Sequence, residues 1–240
     1  MTDRHIVAMG GGGFSDDEPR LDRYVVDLAG TSTTKVCFVP TASGDATAYV
    51  ERFEDACVSR GWTSSVLTLF DRHVADVGAF LGEQDVIYVG GGNTANMLAV
   101  WRIHGVDAAL RAAWEAGVVL CGVSAGGNCW FDASTTDSYG IGRADALEDG
   151  LGFLAGSFCP HYDGEPERRP SFHRLVASGA LPGGIACDDL AAVHFSGTQL
   201  VEAIAAEPRA GAYRVTRSGA QAVEEHLRVR VLRPPRSRAR

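Results

Sequence analysis

The chain has 240 residues, 45% hydrophobic and 22% charged, enough for one large domain with a substantial core. Its formal charge of −8 speaks against a nucleic-acid partner. No run approaches the roughly 20 apolar residues of a membrane span, and no signal-peptide pattern is visible, so a cytoplasmic location with no membrane partner is expected.

Hydrophobic runs alternate with helix-period segments through the first half. His5–Met9 is a strand candidate that ends in Gly10-Gly11-Gly12-Gly13. Leu21, Tyr24, Val25 and Leu28 follow the i, i+3, i+4, i+7 spacing of one helix face. Val36–Val39 is a second strand closed by Pro40, and a helix from about Ala46 to Arg60 is stopped by Gly61. Ser65–Phe70 reads as a third strand, Val74–Leu81 as a short helix, and Val86–Val89 as a fourth strand running into Gly90-Gly91-Gly92-Asn93-Thr94. Helical segments cover Ala95–Ile103 and Val106–Ala116, and Val118–Gly122 is a fifth strand leading directly to Ser124. Unbroken Val/Ile/Leu strands separated by helices predict a parallel sheet covered on both faces, with the ligand held by loops at the carboxyl ends of the strands. Further on, Ala191–Phe195, Leu200–Ala205 and Tyr213–Thr216 are strand-like with few helices between them. They are expected to add mixed or antiparallel strands to the same domain, which spans 1–227. Residues 228–240 carry six arginines, Pro234 and Pro235 and no acid, and read as a basic, flexible tail.

The six cysteines (37, 57, 121, 129, 159 and 187) contain no C-x-x-C pair. They read as reduced and mostly buried, not as a disulfide or zinc framework. Four glycines after the first strand could cradle a phosphate, but neither dinucleotide-binding nor P-loop spacing is present, and Asp16, Asp17 and Glu18 follow. A tight turn is the expected role.

Gly122-Val123-Ser124-Ala125-Gly126 places G-x-S-x-G between a strand and a probable helix, Ala125–Phe131. A serine on such a sharp turn needs small neighbours, and the following amides are unpaired donors with partial positive charge. The amide of Ala125 can therefore face an oxyanion, a contact whose loss typically costs about 3 kcal/mol of transition-state stabilisation. The serine needs a base. Among His5, His73, His104, His161, His173, His194 and His226, position favours His161, at the end of an apolar strand in Ser157-Phe158-Cys159-Pro160-His161-Tyr162-Asp163-Gly164. His173 and His104 are expected on solvated helix faces, and His194 as a structural histidine within a strand.

Gly90-Gly91-Gly92-Asn93-Thr94, Gly122–Gly126, Thr135-Thr136-Asp137 and Pro160-His161-Tyr162 occur in the order found in peptidase E, the aspartyl dipeptidases related to the cyanophycinases. From about Ile6 to Val215 the chain resembles that family. The resemblance implies a three-layer α/β/α sandwich akin to class I glutamine amidotransferases, with serine where those enzymes carry cysteine. It strengthens His161 as the base, and implies that the amide of Gly92 completes the oxyanion hole. It also implies a third, acidic triad member in a Leu-Pro-Glu-Gly segment. The matching stretch is Ile185-Ala186-Cys187-Asp188-Asp189-Leu190, where Asp189 stands for the glutamate and Leu190 for the glycine. Asp188 and Asp137 are the alternatives. The resemblance further implies an arginine that pairs bidentately with an N-terminal aspartyl side chain. Arg169 matches best and Arg168 next, with Asn93 a further substrate contact. The loop acids Asp163, Glu165 and Glu167 could instead neutralise both arginines. The expected activity is hydrolysis of short peptides, with no metal or organic cofactor. Hydrolysis of other isopeptides or esters, or a catalytically silent binding domain, are the competing readings. The sequence does not distinguish a monomer from a homodimer.

Overall fold

The computed structural model describes residues 4–16, 18–140 and 144–233. Its first half runs β1 His5–Met9, α1 Pro19–Ala29, β2 Lys35–Val39, α2 Thr47–Arg60, β3 Thr63–Val66, α3 Val77–Gly82, β4 Val86–Val89, α4 Thr94–His104, α5 Val106–Ala116 and β5 Val119–Val123. The second half runs α6 Ala125–Asn128, β6 Phe131–Thr136, β7 Asp145–Leu147, β8 Leu154–Cys159, α7 Arg168–Ser178, β9 Gly184–Cys187, β10 Ala191–Ser196, β11 Gln199–Ala205, β12 Ala212–Ser218, β13 Gln221–His226 and β14 Val229–Val231.

Period-2 alternation sets the layers. In β1, Ile6 and Ala8 face one core while Val7 and Met9 face the other. On the Val7 side, α1 and α2 bring Leu21, Val25, Phe53 and Cys57 against the sheet, with Phe14 edge-on to Phe38 and Phe53. On the Ile6 side the cover is Leu81, Leu98, Trp101, Leu110 and Trp114 from α3–α5. The predicted stop of α2 at Gly61 holds: its φ is 75°, and its amide returns to the Cys57 and Val58 carbonyls.

The strands fall into two sheets. The main sheet has the order β14-β11-β10-β1-β5-β4-β2-β3, parallel from β1 through β3, with β10 antiparallel to β1. A second sheet, β13-β12-β9-β8-β6-β7, packs Phe131, Phe158 and Ile185 against the Ile6 side of the first. Its other face is covered by Phe172, Leu175 and Val176 of α7. The later strands are the mixed and antiparallel additions expected from the sequence, and they divide between the sheets: β10 and β11 extend the first, and β12 joins the second. The helix expected over Ala125–Phe131 ends at Asn128, because Gly126 and Gly127 propagate a helix poorly and Phe131 is consumed by the second sheet.

The tail boundary at residue 228 is also corrected. Val229–Val231 pair with β11, Leu232 is buried, and Arg230 grips Glu202 with Nε and a terminal nitrogen at 2.7 and 2.9 Å. Residues 234–240 of that expected tail lie outside the described residues. No helix among the described residues is long and apolar enough to cross a membrane. All six cysteines are buried and unpaired.

One buried group gives the fold a pH signature. His194, 5% exposed on β10, donates from Nδ1 to Tyr24 Oη at 2.6 Å, because that hydroxyl itself donates to Glu202. Its Nε2 is left to accept from His5 Nδ1 at 3.0 Å, an arrangement that requires a neutral ring. Burial, with His5 alongside, pushes the His194 pKa down to about 4. The unfolded chain takes up its proton near 6.5 and the native chain only near 4, so stability falls as pH drops through that interval. Asp22 opposes this: burial, against the pull of Arg60, raises its carboxyl to about 6, so the native chain is protonated first and gains stability over the same interval. The effect of His194 is isolated by comparison with His194→Gln. In urea titrations at pH 7 and pH 5, the substituted chain should lose about 2 kcal/mol less than the natural one on acidification. Equal losses would show that His194 is not held neutral.

Candidate active site

Ser124 sits at the carboxyl end of β5 with φ 57° and ψ −113°, a backbone state that costs an L-residue about 1–3 kcal/mol. The turn closes because its neighbours lack side chains. A Cβ on Gly122 would stand 2.3 Å from the Gly126 carbonyl oxygen, and one on Gly126 2.2 Å from that of Val89. The Ser124 amide is tied to the Met9 carbonyl at 3.2 Å, joining the elbow to the end of β1. The Ser124 carbonyl accepts from the amides of Gly127 and Asn128, both at 2.9 Å.

The Gly90–Asn93 loop lies against this turn. A Cβ on Gly91 would meet the Ser124 Cβ at 3.4 Å. Gly92 adopts φ 136° and presses on Ala42, whose carbonyl oxygen would be 2.2 Å from an added Cβ and accepts the Asn93 amide at 2.8 Å. Among the described residues, neither the Gly92 amide nor the Ala125 amide has a hydrogen-bond partner. Asn93 is spent on the fold: its Oδ1 caps α4 at the Asn96 amide, and its Nδ2 donates to the Ser138 carbonyl at 3.1 Å.

His161 follows β8 with φ 51°, a second left-handed non-glycine residue at this edge. Its Nδ1 is 2.6 Å from Asp189 Oδ1, and its carbonyl accepts the Glu165 amide. Two residues beyond Met9, Gly11 backs onto this pair, so Ser124 and His161 share one sheet edge. Among the described residues, Ser124 Oγ has no hydrogen-bond partner, the imidazole included.

The carboxylates separate cleanly. Asp188 is 3% exposed and turned inward, its Oδ2 accepting from the Gly211 amide at 2.7 Å and Tyr213 Oη at 3.2 Å. Burial raises its pKa. Asp137 faces Arg168 at 3.5 Å. Asp189 alone of the three meets His161, and Leu190, where the resemblance expects glycine, takes φ 64°. The left-handed step required there explains the glycine of the family pattern.

Neither arginine is free. Arg168, 3% exposed, donates to Glu165 at 2.5 Å and to the Thr135 carbonyl at 3.3 Å. Arg169 is held by Glu224 of β13 through two nitrogens and lies over the rings of Tyr162 and Tyr213, 5.2 and 5.1 Å from their centroids. Glu224 also accepts from Tyr162 Oη at 2.6 Å and meets His173 Nε2 at 2.9 Å, so His173 joins this cluster while its side chain stays 34% exposed. The expectation of loop acids around the arginines holds for Glu165 on Arg168. For Arg169 the acid comes from a strand 55 residues away, which no local pattern announces.

An elbow serine, a histidine–carboxylate pair and an α/β sandwich define a serine peptidase. The chain belongs to peptidase family S51, whose model matches residues 6–203. It is 46% identical over 231 residues to the uncharacterized peptidase YgaJ of Bacillus subtilis strain 168, covering 95% of this chain and 99% of that one. It is 30% identical over 160 residues to the uncharacterized peptidase Lmo0363 of Listeria monocytogenes, covering 64% and 76%. The fold is also that of a peptidase from an acI-B1 actinobacterium (TM-score 0.67, 16% identity, 95% of each chain). A Listeria monocytogenes protein assigned to peptidase E matches with a TM-score of 0.60 at 20% identity, covering 83% of this chain and 98% of that one.

Proposed function

We propose that this peptidase hydrolyses short peptides through an acyl-enzyme formed on Ser124. The observation that carries the reading is the 2.6 Å contact between His161 Nδ1 and Asp189 at the sheet edge that presents the strained serine. With Nδ1–H donated to the carboxylate, Nε2 is the basic nitrogen and takes the Ser124 proton as Oγ attacks the peptide carbonyl. Asp189 fixes that tautomer and steadies the imidazolium. The amides of Gly92 and Ala125 receive the developing oxyanion. His161 then returns the proton to the leaving amine, and water attacks the acyl-serine by the same route in reverse. No step calls on a metal or an organic cofactor.

The resemblance implies substrates with an N-terminal aspartate. Here an incoming aspartyl group would have to displace Glu224 from Arg169. We therefore propose a short-peptide specificity that does not depend on N-terminal Asp. A fluorophosphonate should label Ser124, detected by intact mass and peptide mapping; an unlabelled serine would favour a silent binding domain. In a dipeptide panel, Asp-X substrates should be cleaved no faster than those beginning with neutral residues. Cleavage confined to Asp-X would return the arginine to substrate recognition.

A further inference from the structure

Asp189 reaches His161 through a slot walled by two glycines. On one side the chain beyond β1 zips onto residues 188–191: the Gly10 amide donates to the Ala191 carbonyl at 2.9 Å, and the Leu190 amide to the Gly11 carbonyl at 3.1 Å. On the other side, Asp163 Oδ1 accepts the Asp189 amide at 2.9 Å and draws the turn after His161 against the carboxylate. A Cβ on Gly11 would lie 2.0 Å from Asp189 Oδ1 and 3.2 Å from His161 Nδ1. A Cβ on Gly164 would lie 2.1 Å from Asp189 Oδ2. Neither glycine has a positive φ, so the backbone at both positions suits alanine. What chiefly excludes a side chain is the carboxylate, with the imidazole a second, looser contact at Gly11.

We infer that Gly11 and Gly164 are positioning residues that clamp the Asp189 carboxylate onto His161; this rests on the reading of Ser124, His161 and Asp189 as the reacting group. Aspartate is one methylene shorter than glutamate, so its backbone must stand closer to the imidazole. Two flanking residues without Cβ let the main chain close in on both carboxylate oxygens. Alanine at either site displaces the carboxylate from Nδ1–H, and the imidazole loses its tautomer and orientation.

The test is a set of double-mutant cycles read by the second-order rate of Ser124 modification by a fluorophosphonate. Circular dichroism and thermal melts establish that each chain is folded. Gly11→Ala and Gly164→Ala should each slow labelling at least about 100-fold, as should Asp189→Ala. In the Asp189→Ala background, each glycine substitution should change the rate by no more than about 3-fold, because the group it displaces is gone. The downfield proton resonance of His161 Nδ1–H should be present in the natural chain and lost in both glycine variants. Natural rates in both glycine variants would overturn the inference, as would losses that multiply undiminished in the Asp189→Ala background. Labelling of Ser124→Ala at the natural rate would remove the parent reading instead; an unlabelled Ser124→Ala beside fully reactive glycine variants would remove this inference alone.

Discussion

Ser124→Ala is expected to lower dipeptide turnover by at least about 1,000-fold while leaving the circular dichroism spectrum unchanged. The size follows from chemistry: without Oγ no acyl-enzyme forms, and only binding and the two amide donors remain to assist water. The fold should tolerate the change, because the Ser124 hydroxyl makes no hydrogen bond to a described residue, and alanine is smaller. Relief of a polar atom does not remove the φ of 57°, so the elbow should persist through its Gly122 and Gly126 contacts. Turnover within a few-fold of the natural chain would remove Ser124 from the mechanism. Loss of activity together with a collapsed spectrum would show that the substitution measures the turn and not the nucleophile.

Asp189→Asn and Asp188→Asn should part sharply, although the residues are neighbours. At 189 the amide keeps the shape but can donate to Nδ1 and so favour the tautomer with the proton on Nε2, the wrong one for taking a proton from serine. A loss of about 10⁴-fold in turnover has precedent for this change in a serine protease triad. At 188 the carboxylate accepts from the Gly211 amide and Tyr213 Oη and touches no reacting group. Asp188→Asn should keep turnover within about 3-fold and show its effect, if any, in the melting temperature. Steady-state rates and melts of the two variants decide the matter. Equal activity losses would mean that Asp188 also supports the imidazole.

The parallel core of the fold was legible because its signals are local. Strands such as Val36–Val39 and Val86–Val89 are apolar runs bounded by turn residues, and helices such as α5 carry their own period and glycine stop. Gly122–Gly126 likewise declared its turn, since the need for small residues is written within five positions. The second sheet was hidden for the opposite reason. Its strand β6 reads Phe-Asp-Ala-Ser-Thr-Thr, a polar stretch, yet Ser134, Thr135 and Thr136 are buried by strands and helix α7 that lie later in the chain. β14 reads as part of an arginine-rich tail until Glu202 and the edge of β11 give it partners.

From the sequence alone came the chemistry available: an elbow serine, a histidine at the end of an apolar strand, and carboxylates within a short stretch. Backbone geometry over five to eight residues dictates where such groups stand on a sheet. Which carboxylate turns toward the histidine, which acid neutralises Arg169, and what stands against Gly11 and Gly164 were decided by tertiary structure. Each depends on a contact across at least 25 positions, and the energy of such a contact resides in a partner that the local sequence does not contain.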